Sequence, residues 1–234
     1  MNQCDTCHAG CCRAYVVPLT GADILQIMSN RKLSFWDFAC RWADPGGAIA
    51  QKFAPHFYFR DDPQTPYVIA LIQEYSSQFP GTTRCKFLVE GAPSPEAPLG
   101  VSHCGAYGER PSACRIFPTK LDQAEELAVL CDVPAEGKAG SHPAYRLCSR
   151  KWEPADLDPI GQVQNLVIAR YEMNFFFKLA QGWNCVPGDW KSFPDFLQLV
   201  YSKRVLAKER QDPEEEAVPD VEPATINRFP RIAA

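Results

Sequence analysis

The sequence lacks any apolar run long enough to cross a membrane, which takes about eighteen residues or more. It also has little excess charge. Residues 1–210 hold 22 acidic and 22 basic side chains. The net charge of -4 therefore comes from residues 211–234, where the six acids of QDPEEEAVPDVEP at 211–223 outnumber Arg228 and Arg231. Because residues 1–210 have no net charge, they are not expected to offer a basic surface to a nucleic-acid backbone. We therefore expect neither nucleic acid nor a membrane among its partners.

The N-terminal stretch MNQCDTCHAG lacks the charged start and apolar middle of a signal peptide. This predicts a cytoplasmic protein, whose thiols stay reduced. The 11 cysteines, an odd number, therefore do not indicate a disulfide framework.

The common catalytic motifs are lacking as well. There is no Ser–His–Asp order, no P-loop, no H-E-x-x-H and no Gly-rich loop between a strand and a helix. Because no residue stands out as an acid, a base or a nucleophile, the sequence leaves open whether the protein is an enzyme.

What the sequence has is cysteine, first in CDTCHAGCC at residues 4–12. C-x-x-C is a spacing at which two sulfurs reach one metal ion or cluster. A thioredoxin-like redox pair would instead follow a strand and open a helix. Further cysteines stand outside the predicted helices, and the candidate ligands are Cys4, Cys7, Cys11, Cys12, Cys85, Cys104, Cys114, Cys131 and Cys148.

Nine candidate thiols exceed the four ligands of one tetrahedral zinc site. Three arrangements stay open: two metal sites, one iron–sulfur cluster with surplus cysteines, or one metal site with several buried structural cysteines. Adjacent side chains on a helix diverge by about 100°. We therefore expect either Cys11 or Cys12 to serve a different metal, a bridging role or packing.

The ordered set of motifs resembles a known family. C-x-x-C-x-x-x-C-C, C-x-F-L and C-x-x-Y-x-x-R-P-x-x-C-R-x-F-P span residues 4–132 and are similar to the YkgJ-like cysteine-cluster family. That family comprises zinc- or iron-chelating proteins and includes the flagellin lysine N-methylases. The resemblance implies a bound metal, a [4Fe-4S] cluster first and zinc as the alternative. Its methylase branch would imply S-adenosylmethionine as methyl donor.

Basic residues lie close to the candidate ligands in the sequence. A cluster held by four thiolates is negatively charged, and guanidinium donors to sulfur tune its potential. Arg110 and Arg115 are therefore predicted to bind the cofactor, with an ordinary ion pair as the alternative. Arg13 and Lys86 have the same two alternatives, an interaction with the cofactor or an ordinary ion pair.

The predicted fold class is α+β. We expect a small, loop-rich, metal-nucleated cysteine domain with a short antiparallel sheet at residues 1–154, a helical region at 155–210 and a flexible acidic tail at 211–234. Thr20 and Asp23 predict the start of one helix.

Another helix is predicted over 34–43, with Ser34 as its cap and Asp37 at the third helical position. A helix over 156–183 is predicted to be capped by Asp156 or Asp158, with Pro159 near its first turn and Gly182 at its end, and a last helix is predicted over 190–209. Strands 66–75 and 83–90 are predicted to pair, a short helical turn is expected at 109–119, and a third strand over 126–133.

The predicted function is metal binding, with a structural role or a role in electron or metal transfer. The binding free energy would help to fold the N-terminal half. The alternatives are a zinc-binding protein and an enzyme similar to protein-lysine N-methyltransferases. A protein partner is left open.

Overall fold

The structure, a computed structural model, describes residues 7–50, 53–121, 128–130, 142–147 and 152–211, and of 205–211 the backbone alone. Within these residues the fold is α+β, as predicted. The helices are α1 Cys11–Ala14, α2 Gly21–Arg31, α3 Ser112–Ile116, α4 Pro159–Cys185 and α5 Phe193–Gln211. The strands are β1 Ala39–Ala43, β2 Phe57–Phe59, β3 Asp62–Leu71, β4 Gln73–Tyr75, β5 Thr83–Cys85, β6 Leu88–Val89, β7 His103–Cys104, β8 Thr119–Leu121 and β9 Ala128–Leu130.

Strand β3 is the centre of the largest sheet, whose antiparallel order is β1-β3-β2. Its apolar end is buried on both faces, because Val68 and Ala70 are as inaccessible as Ile69 and Leu71. The rest of the predicted segment 66–75 turns away as β4, which pairs with β5 in the register Gln73↔Cys85. The predicted pairing of segments 66–75 and 83–90 is thus confirmed only at this end.

The helix predicted over 34–43 is wrong. Ser34 and Asp37 form the capping box that the sequence suggests, but it starts only a 3-10 turn at Phe35–Asp37. The chain then becomes β1, with Ala39 opposite Leu71 and Ala43 opposite Tyr67. Pairing with β3 satisfies the backbone groups of β1, so tertiary contacts override the local helix signal.

The other helix predictions hold with changed ends. Thr20 and Asp23 form the capping box at the start of α2. Asp158 caps α4 and Pro159 is its first residue, but Gly182 does not end it. The helix continues to Cys185 because its last turn is bonded to β2: the Trp183 indole N–H donates to the Tyr58 carbonyl at 2.8 Å.

The C-terminal helices share one hydrophobic core with the sheet and with α2. Phe193 of α5 lies edge-on against Phe57 and Phe59 of β2, with ring centroids 5.1 and 5.6 Å apart. Phe176 of α4 contacts Phe57 at 5.0 Å. No helix in the described part of the chain is both long and apolar enough to span a membrane.

The remaining elements are small and carry cysteines or lie near them. Helix α3 and strand β9 confirm the predicted helical turn and third strand. Strand β9 pairs with β8, and β6 pairs with β7 in the register Leu88↔Cys104. The predicted tail falls almost wholly outside the described residues.

Candidate metal centre

Six cysteines from four separate segments converge on one region. Cys11 and Cys12 share a side-chain hydrogen bond, and the Cys11 thiol also interacts electrostatically with the other four. The six are Cys7, Cys11, Cys12, Cys85, Cys104 and Cys114. The predicted ligands Cys4, Cys131 and Cys148 lie outside the described residues.

The turns that follow Cys85 and Cys104 are joined directly. Leu88 stands opposite Cys104 in the β6–β7 pair, and Gly105 N–H donates to the Phe87 carbonyl at 2.8 Å. Two short strands and one backbone hydrogen bond therefore bring these two cysteines together although 18 residues separate them.

Three of the six sulfurs accept a backbone N–H from the residue two positions ahead. Ala9 N donates to the Cys7 sulfur at 3.3 Å. The N–H groups of Phe87 and Ala106 act as hydrogen-bond donors to the Cys85 and Cys104 thiols and lower the pKa of each. Hydrogen bonds of this kind favour the thiolate over the thiol, the form that binds metal.

Burial works against ionisation of these thiols. It raises the pKa of Cys85 to about 11 and also raises that of Cys104, and in each case the N–H donor partly offsets the effect. The pKa of Cys114 lies well above its usual range, mainly through burial and then through repulsion by nearby thiolates. A thiol that coordinates a metal loses its proton outright, so metal binding here would release protons.

Cys11 and Cys12 behave as a pair. Their mutual hydrogen bond lowers the pKa of Cys11 and raises that of Cys12. The two cysteines share the single turn of α1. That one of them serves a different metal, a bridging role or packing stays a prediction.

The donor set fits a thiophilic metal or an iron–sulfur cluster, both of which are bound by cysteine thiolates. Among the residues described, no three Cys, His, Asp or Glu side chains already form a metal site. Binding of zinc would therefore need the sulfurs to move to a bonding distance of about 2.3 Å from the metal.

The two arginines predicted to bind the cofactor differ in their contacts. Arg110 stacks on the Tyr107 ring, 3.7 Å from its centroid, and its charge acts on Cys104. Arg115 donates to Ser112 Oγ at 3.3 Å and lies 3.7 Å from Asp23.

The other two basic residues take part in ion pairs. Arg13 contacts Glu90 at 2.5 Å with its side chain fully buried, and Lys86 contacts Glu74 at 2.5 Å. Arg84 lies between the two carboxylates, 3.0 Å from Glu74 and 3.4 Å from Glu90. This network ties α1 to the residues on either side of Cys85.

Two supports of the centre were not predicted. The segment 142–147, which we call the strap, lies against the first cysteine loop: His8 Nε2 contacts the Arg146 carbonyl at 2.6 Å. The Tyr145 hydroxyl of the strap accepts the Thr83 N–H at 2.8 Å, two residues before Cys85. Gly10 offers the only sequence signal for this contact, since a small residue allows a close backbone approach.

The second unpredicted support joins α2 to α3. Asp23 accepts hydrogen bonds from both the N–H and the hydroxyl of Ser112, two residues before Cys114. The sequence shows Asp23 as a helix cap but gives no sign of its second partner, 89 residues away.

The remaining two cysteines have separate surroundings. Cys40 stands opposite Ala70 in the largest sheet, and Cys185 is exposed at the end of α4 with its sulfur 3.3 Å from the Gln181 carbonyl.

A comparison with family models matches residues 3–132, more than half of the chain, to the model described as "CxxCxxCC: Putative zinc- or iron-chelating domain". Comparisons with curated proteins and with solved structures give no match. The matched range contains all six converging cysteines. The chain therefore belongs to the CxxCxxCC family of zinc- or iron-chelating domains.

Proposed function

We propose that this protein holds a [4Fe-4S] cluster through its cysteine cluster and serves a structural role or a role in electron or metal transfer. The observation that carries the proposal is the set of three N–H donors to Cys7, Cys85 and Cys104. Backbone N–H groups aimed at sulfur set the potential of iron–sulfur centres. The same groups would also stabilise a zinc–thiolate site, which is the alternative.

Cys7, Cys85 and Cys104 form the minimum ligand set of the proposal, and Cys11 supplies the fourth thiolate. Cys11 interacts with every other described thiol of the cluster, so it is the most central of them. Cys12 and Cys114 stay candidate ligands in addition to these four. Cys4, Cys131 and Cys148 stay predicted ligands from the sequence alone.

Of the two arginines predicted from the sequence, Arg110 is the better placed to interact with the cofactor, because its charge acts on the Cys104 thiol. Arg115 stays a predicted cofactor-binding residue, although its described contacts are with Ser112 and Asp23. The reduced thiols of such a centre favour a cytoplasmic protein.

Methyl transfer is not part of the proposal. A methyl donor would have to bind beside the thiols. A hollow of about 340 Å³ lies between α4 and the β8–β9 pair, lined by Leu121, Ala128, Val163, Leu166, Val167, Arg170, Tyr171 and Asn174. Its lining contains none of the cluster cysteines, so it does not place a ligand next to them.

The test is the iron, acid-labile sulfide and zinc content per chain of anaerobically purified protein, with its visible spectrum. Iron with matching sulfide and a brown chromophore supports the cluster. Stoichiometric zinc without sulfide supports the alternative, and a chain with neither metal overturns both.

Single serine variants then test the ligand set. C7S, C85S and C104S should each lose most of the metal and lose stability together. C40S and C185S are matched controls and should keep the wild-type metal content. If the two groups bind metal equally well, the assignment of ligands is wrong.

A further inference from the structure

Arg31 is the last residue of α2. It is 19 residues from Cys12 and still farther from the other described thiols of the cluster. No motif includes it. The fold nevertheless carries its guanidinium to the joint between the Cys85 and Cys104 turns.

The contacts of Arg31 lie one on each side of that joint. Its guanidinium carbon is 5.6 Å from the centroid of the Phe87 ring. Its Nη1 atom is 3.2 Å from Oε2 of Glu109. Phe87 supplies the N–H that reaches Cys85. Arg31 therefore connects the turn that carries Cys85 to the segment that follows Cys104.

Glu109, the ion-pair partner of Arg31, is linked to Cys104 through Ala106. Glu109 N–H donates to the Ala106 carbonyl at 3.0 Å, and Ala106 itself supplies the N–H that reaches the Cys104 sulfur. Ala106 is fully buried and Phe87 nearly so. A change at Arg31 would thus affect both N–H donors, Phe87 by direct contact and Ala106 through Glu109.

The charge of Arg31 also acts on the centre. Its side chain is only one third exposed, so its field is screened less than that of a fully solvated cation. Its guanidinium lies over the Phe87 ring, and the Phe87 carbonyl accepts the N–H of Gly105, the residue that follows Cys104.

We propose that Arg31 is a positioning residue of the metal centre, which clamps the Cys85 and Cys104 turns together and places a positive charge beside the thiolates. It is not a ligand. The inference rests on the proposed function, since it needs a metal or cluster bound by Cys85 and Cys104. A positive charge at this place favours the more negative state of the centre, which is the bound state for zinc and the reduced state for a cluster.

The experiment uses the full-length, metal-loaded protein and the variants R31Q, R31K and K32Q. Lys32 is the matched control because it is the neighbouring cation, is exposed and has no described contact with either turn. The readout is competition for the bound metal by a chelator. An outer-shell change typically costs about 10-fold to 100-fold in metal affinity, so we expect R31Q to lose about 10-fold. K32Q should match the wild type.

R31K separates the clamp from the charge, because lysine keeps the charge but lacks the planar fork. If R31K restores the full metal affinity, the charge acts alone and the clamp is overturned. If R31K restores only part of the affinity, the clamp contributes as well. For an iron–sulfur centre, the ratio of reduced to oxidised protein at one fixed potential should also fall in R31Q and recover in R31K.

The outcomes distinguish the two proposals. Wild-type protein that binds neither iron–sulfur nor zinc overturns the proposed function, and this inference falls with it. Wild-type protein that binds metal, with R31Q equal to K32Q in every readout, overturns the role of Arg31 alone. Circular dichroism of each variant tests whether the fold is intact, which separates a loss of metal from a loss of structure.

Discussion

One carboxylate oxygen of Asp23 accepts both the backbone N–H and the hydroxyl of Ser112, each at 2.8 Å. The other oxygen accepts the N–H and hydroxyl of Thr20 at 2.9 and 2.8 Å. A buried side chain thus caps α2 and fixes the start of α3, the helix that carries Cys114.

Replacing Asp23 by Asn should destabilise the protein by about 2–4 kcal/mol, because the amide NH2 would face donors that now meet a carboxylate. Urea denaturation of the metal-loaded protein measures this. D37N is the matched control: Asp37 forms the same capping box with Ser34, but in an exposed place. Equal losses in D23N and D37N would show that the contact with Ser112 contributes nothing.

Glu90 should make stability depend on pH. Burial raises its pKa, but hydrogen bonds from Ser76, Arg13 and Ser77 outweigh burial and hold the pKa at about 2, against an ordinary value of 4.5. The unfolded chain therefore takes up this proton first as the pH falls. The stabilisation is complete above about pH 4.5 and is lost as the pH approaches 2.

E90Q should remove this part of the acid dependence, so its stability should change less than that of the wild type between pH 4.5 and 2. At neutral pH it should be about 3–5 kcal/mol less stable, because the buried Arg13 loses its countercharge. Denaturant unfolding of both proteins across this pH range provides the measurement. Parallel wild-type and E90Q curves would contradict the role given to Glu90.

Gly10 should not tolerate a methyl group. A Cβ there would lie 1.7 Å from the Arg146 carbonyl oxygen, which belongs to the backbone of the strap. We expect G10A to push the strap away from the first cysteine loop, to cost about 1–3 kcal/mol and to release metal faster.

G182A is the matched control, since a Cβ at Gly182 in α4 would meet nothing within 4 Å. It should leave metal release unchanged and stabilise the helix by up to about 1 kcal/mol. Thermal unfolding and the rate of metal loss to a chelator test both variants. G10A that releases metal no faster than G182A would rule out a supporting role for the strap.

Phe193 should affect the whole chain and not only the helical region. Its ring contacts Phe35, Phe57 and Phe59, which all lie before residue 155. F193A should cost about 3–5 kcal/mol, and the protein should unfold in a single transition.

L199A in the same helix is its control, because Leu199 is 54% exposed. Its cost should stay within about 0.5 kcal/mol. Comparing near-UV and far-UV circular dichroism during unfolding checks cooperativity. Two separate transitions would instead support a boundary near residue 154, as the composition of the sequence predicts.

Local spacing determined much of this molecule. Thr20 and Asp23 lie three residues apart and set the start of α2, and Asp158 and Pro159 set that of α4, because a cap needs only neighbouring residues. The order and spacing of the cysteines likewise identified the family and predicted a metal centre.

Only the tertiary structure decided the rest. Residues 39–43 became a strand because β3 offers a partner for their backbone, which no local signal encodes. The joined turns of Cys85 and Cys104 depend on a hydrogen bond between Gly105 and Phe87. Arg31 contacts the Phe87 ring from the end of α2. These contacts join residues far apart in the chain. Burial of one common core brings them together, so spacing alone names the thiols but not the groups that position them.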